Sequence, residues 1–73
     1  MNTVATLAVG TRGTVAAIQG EDEISLRLME MGLIPGVELQ LIGVAPLGDP
    51  LELELRGYRL SIRRSEAARI ELN

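Results

Sequence analysis

Seventy-three residues hold one hydrophobic core and no second one, so the chain reads as a single domain over residues 1–73; 23 Leu, Ile and Val residues exclude a disordered segment. With no Cys and no His there is no disulfide framework, zinc finger, thiolate nucleophile or imidazole base, and no enzyme is expected. The charge of −3, every cation an Arg, argues against binding a nucleic-acid backbone, and the longest uncharged run, residues 1–11, is far short of the roughly 20 apolar residues of a membrane span.

Residues 14–18 are β-branched and apolar between Gly13 and Gly20 and predict a strand. Val15 and Ile18 cannot share one face of a regular strand, so a bulge is expected between them. Residues 22–31 carry a helical pattern: Ile24, Leu28 and Met31 form one stripe, with Leu26, Met29 and Leu33 beside it. That helix is expected to bury most of its girth, with Asp22 as N-cap and Gly32 in the left-handed position that ends it. Pro35-Gly36 then turns the chain into a strand over residues 37–44, where Leu39 and Leu41 alternate with Glu38 and Gln40 and Gly43 marks a bend.

A loop with two prolines and a glycine, residues 45–50, precedes two alternating strands at 51–56 and 58–63. A two-residue turn at Arg56-Gly57 pairs Leu55 with Tyr58, Leu53 with Leu60 and Leu51 with Ile62, and sets Glu54 opposite Arg59. Ser65 is placed to cap a helical turn at 66–68, and residues 69–72 form a last short strand. Strands this short, with glycine at the corners, protect their edges by curling. The expected fold is therefore mainly β: a small SH3-like barrel of about five strands with one inserted α-helix and a short helical turn near the C-terminus. One Tyr and no Phe or Trp disfavour both a nucleic-acid barrel and a proline-rich-peptide groove.

Four groups of residues are candidates for function. The proline-bracketed loop displays Leu47 and Asp49, either as a preorganised partner contact or with Asp49 merely bonding nearby amides. Arg56, Tyr58 and Arg59 surround the hairpin tip; Arg and Tyr are favoured interface anchors, although alternation turns Tyr58 inward, over the barrel end. Leu26, Met29, Leu33 and Ile34 exceed what one helix face needs and could meet a partner or a second copy, making a homodimer a possibility to test. Glu21, Asp22 and Glu23 are a weak metal candidate, set against simple complementarity to the helix dipole. Gly10-Thr11-Arg12-Gly13 lacks the Gly-Lys-Ser/Thr ending of a phosphate loop. Charge is also uneven: residues 1–51 hold two Arg against six acids, residues 52–73 five Arg against four.

Several segments, taken together and in this spacing, resemble one family: Leu7 with Gly10, Gly13 and Val15; Arg27-Leu28-Met29-Glu30-Met31-Gly32-Leu33 running into Pro35-Gly36; Ala45-Pro46-Leu47-Gly48-Asp49-Pro50; and Leu60, Arg63 and Glu66-Ala67. The chain resembles the FeoA family, small cytosolic accessory proteins of bacterial ferrous iron transport. The resemblance covers nearly the whole chain. It implies an SH3-like barrel without a cofactor that moves no iron itself but binds and modulates the cytosolic region of the GTPase-bearing permease FeoB. It also implies a cytoplasmic location, peripheral at the inner face of the plasma membrane through the permease. The C-terminal domain of metal-dependent repressors looks similar, so the alternative is a small metal- or peptide-responsive regulatory domain.

Overall fold

Alternation of apolar and charged residues decides which side of each strand turns inward. The computed structural model describes residues 2–73. Strand β1 (Arg12–Ile18) is followed by helix α1 (Glu23–Glu30), strands β2 (Glu38–Val44), β3 (Leu51–Leu55) and β4 (Tyr58–Ile62), helix α2 (Arg64–Ala67) and strand β5 (Ile70–Leu72). Short 3-10 turns lie at Val4–Thr6 and Pro46–Gly48.

The β3–β4 hairpin has the expected register, from Leu55 opposite Tyr58 to Leu51 opposite Ile62. Arg56 (φ 50°) and Gly57 (φ 82°) are both left-handed, which gives the turn the twist that its strands need. Both expected irregularities are present, between Val15 and Ala17 in β1 and between Leu41 and Gly43 in β2. All strands are antiparallel, in the order β4-β3-β2-β1-β5. The sheet curls around an aliphatic core that includes Val4, Val15, Leu39, Leu41, Leu53 and Ile70.

The mainly β architecture with five strands and two helices is the expected one, and it departs from expectation in three details. The sheet's hydrogen bonding does not close, because β4 and β5 do not pair; an N-terminal segment covers β5 instead, with Thr3 bridging Glu71 and the Leu72 amide donating to the Asn2 carbonyl at 2.8 Å. Helix α1 does not bury most of its girth: only Ser25 and Leu28 are buried, because an eight-residue helix lying across a small sheet sends about one residue per turn into the core. Helix α2 starts before Ser65, with Arg63 as N-cap residue and the Glu66 carboxylate accepting the Arg63 amide at 2.8 Å.

Candidate functional site

The loop between β2 and β3 is closed by its own backbone, through Ala45 N to the Pro50 carbonyl (3.0 Å) and Gly48 N to the Ala45 carbonyl (2.9 Å). Within it Leu47 has φ 73° and a fully exposed side chain, at 105 % relative exposure. A left-handed conformation costs a non-glycine residue about 1–2 kcal/mol, and Leu47 recovers none of that by burial. The loop is fastened from outside by Arg64. Its amide donates to Asp49 Oδ1 (3.0 Å), its Nε to the Gly48 carbonyl (2.9 Å) and its Nη1 to the Ala5 carbonyl (3.1 Å). Asp49 thus bonds a backbone amide, but one fifteen residues away rather than nearby. No local pattern marks Arg64 for this task; only the folded neighbourhood of loop and helix does.

Beside the loop a cleft is lined by Arg27, Asp49, Pro50, Ser61, Ile62, Arg63 and Glu66. Arg27 on α1 pairs with the buried Glu66 carboxylate, joining α1 to α2. Arg63 has no ion-pair partner among the described residues, and neither does Arg56 at the hairpin tip. Arg59 lies 3.9 Å from both Glu52 and Glu54, an exposed arrangement in which ion pairs contribute little. Tyr58, expected inward with its hydroxyl in water, is 41 % exposed and donates that hydroxyl to the Met31 carbonyl. It therefore ties the hairpin tip to the end of α1.

The apolar surface of α1 and its exit consists of Ile24, Leu26, Met29 and Ile34, all exposed. Leu33, expected among them, lies at 0 % exposure in the core and cannot touch a partner; the turn after α1 drives it inward, its amide bonding the Leu28 carbonyl at 3.2 Å. At the other end of α1, Asp22 Oδ1 accepts from the Ser25 amide (3.2 Å) and from Arg69 Nη1 (2.6 Å). The Arg69 hydrogen bond first, and the Ser25 amide second, hold the Asp22 carboxyl down at about 2, while the same contact raises Arg69. Glu21, Asp22 and Glu23 do not converge: among the described residues no three acidic, His or Cys side chains form a metal-holding group. Nor is any helix among those residues long and apolar enough to cross a membrane.

The FeoA domain family matches residues 2–73. A fusion protein of Fe(2+) transport protein A and the Fe(2+) transporter FeoB from Porphyromonas gingivalis is 32 % identical over 66 residues, which are 90 % of this chain and only 8 % of that relative. The solution structure of FeoA from Chlorobium tepidum superposes with a TM-score of 0.90 at 36 % identity, covering 99 % of this chain and 69 % of that one. A zinc-complexed FeoA from Stenotrophomonas maltophilia, described as a prokaryotic SH3 domain protein, gives 0.89 at 30 % identity over 100 % and 91 %. A manganese-dependent transcriptional repressor shares the fold alone, at 0.89 and 16 % identity over 99 % of this chain and 35 % of that one. With its five-stranded SH3-like sheet and a family match running from residue 2 to residue 73, the chain belongs to the FeoA family.

Proposed function

We propose that this chain serves ferrous iron transport as a non-enzymatic docking module, binding the cytosolic region of the permease FeoB and biasing its nucleotide-driven states. The observation that carries a docking role is Leu47: a large aliphatic side chain held fully in solvent, on a left-handed backbone, by a loop that Arg64 fastens at two points. Strain without burial is retained where the exposed group has another use. The partner is supported by the P. gingivalis relative, in which the two parts share one polypeptide and so meet at high effective concentration. Leu47 and Asp49, Arg56, Tyr58 and Arg59, and Met29 on α1 are the residues proposed for contact. Binding would place the chain at the cytosolic face of the membrane.

The test is an NMR titration of the ¹⁵N-labelled chain with the soluble GTPase region of a cognate FeoB, with Fe²⁺ alone as the parallel arm. Localised shifts at residues 46–49 with the GTPase region, and none with iron, are expected. Shifts with iron alone would move the chain to the regulatory-domain reading that the repressor's shared fold suggests.

A further inference from the structure

A five-stranded open sheet has two edges, and this one treats them differently. The β5 edge is occupied by the N-terminal segment through the Thr3–Glu71 bridge and the Leu72-to-Asn2 hydrogen bond. The β4 edge is not covered by any strand among the described residues. In the β3–β4 hairpin the two residues flanking the turn, Leu55 and Tyr58, form a hydrogen-bonded pair, so Leu60 and Ile62 also bond to β3. Arg59 and Ser61 occupy the alternate pairs. Their N–H and C=O groups point away from β3, both residues are exposed, and neither has a backbone partner elsewhere among the described residues. Two donors and two acceptors are thus set out along one short edge.

The charges on β4 and at its two ends are all positive, and the acids of the neighbouring strand β3, Glu52 and Glu54, lie 3.9 Å from Arg59. Arg59 stands on the strand, and the ion-pair-free Arg56 and Arg63 stand at its two ends. Beyond Ser61 the edge continues into the cleft, where Arg27 is paired with Glu66, Asp49 is bonded to the Arg64 amide, and Arg63 is left as the cation without an ion pair among the described residues. Leu60, between the two free positions, is half-buried and packs against the core, so it offers apolar surface on the opposite side from Arg59 and Ser61.

With the FeoB docking role as premise, we infer that β4 receives an extended segment of the cytosolic region of FeoB as a sixth strand. That segment alternates acidic with apolar residues, the acids facing Arg56, Arg59 and Arg63 and an apolar residue covering Leu60. Four backbone hydrogen bonds, to Arg59 and Ser61, provide attachment; the charge pattern selects the segment and sets its register.

The experiment is amide hydrogen exchange on the ¹⁵N-labelled 73-residue chain, alone and saturated with the soluble cytosolic region of FeoB. Exchange at Arg59 and Ser61 is expected to slow about tenfold or more in the complex. Affinity is expected to fall with added salt and in the double variant Arg56→Glu, Arg63→Glu. Ser61→Pro removes an outward N–H without touching the β3 ladder and is expected to weaken binding about tenfold; its amide spectrum, and that of the charge variant, report whether the fold survives. A complex whose Arg59 and Ser61 amides exchange as in the free chain overturns this inference and leaves the docking reading standing. No complex overturns both. Protection of the two amides in the chain alone, growing with its concentration, assigns the edge to a second copy and also overturns the inference.

Discussion

Leu47 and Asp22 are both exposed, yet the first is held against its conformational preference and the second in agreement with its charge. Replacing Leu47 with Gly relieves the left-handed backbone, about 1–2 kcal/mol, against the roughly 0.5–1 kcal/mol by which glycine's unfolded-state freedom opposes folding. The variant Leu47→Gly is therefore expected to be as stable as the parent or slightly more so in urea unfolding, while losing affinity for FeoB. A destabilised variant would show that Leu47 packs against something. Asp22 acts through its charge. Its carboxyl titrates at about 2 in the folded chain against 3.8 unperturbed, so it stabilises the fold fully above pH 4, and that contribution is lost as pH falls towards 2. Asp22→Asn keeps the helix cap and removes the attraction to Arg69. Its deficit relative to the parent, followed by thermal unfolding, is expected to be constant above pH 4 and to vanish near pH 2.

Helix α1 ends where two local requirements meet: Gly32 takes φ 103°, and Tyr58 reaches across from the hairpin to the Met31 carbonyl. A β-carbon on Gly32 would collide with that hydroxyl. Gly32→Ala is thus expected to cost about 1 kcal/mol for the backbone and more for the collision, and Tyr58→Phe about 1 kcal/mol for the lost hydrogen bond. Combining them removes the collision, so a double-mutant cycle in urea should give a double variant more stable than the sum predicts. The cap, the glycine and the hairpin register are all visible in the sequence, because each depends on residues within a few positions of one another. What was illegible depends on distance. The helix pattern at Ile24, Leu26, Met29 and Leu33 does not say how much sheet lies beneath it, and so it marked Leu33 as surface and α1 as buried. Asp49 could be read as a turn carboxylate, but its partner Arg64, which also grips Gly48 and Ala5, comes from α2 and has no signature of its own.

The molecule as a whole has to keep an unclosed sheet from pairing with other sheets, and it guards its edges by opposite means: β5 by its own N-terminal segment, β4 only by shortness and arginine. That segment has two roles that can be separated. Val4 is a core residue at 0 % exposure, whereas Asn2 and Thr3 contribute backbone to the β5 edge. Val4→Ala is expected to cost about 2 kcal/mol, a large share of the roughly 3–5 kcal/mol that a domain of this size draws from its core, yet to leave the chain monomeric. A chain released by a protease so that it begins at Val4 keeps the core residue and uncovers β5. It is expected to lose less stability than Val4→Ala but to self-associate as concentration rises, measured by sedimentation. Covered edges and buried volume would then be shown to act independently, and the β4 edge would stand out as the one that the native chain leaves open. If instead Val4→Ala associates and the shortened chain does not, association follows from loosened packing and not from the uncovered edge.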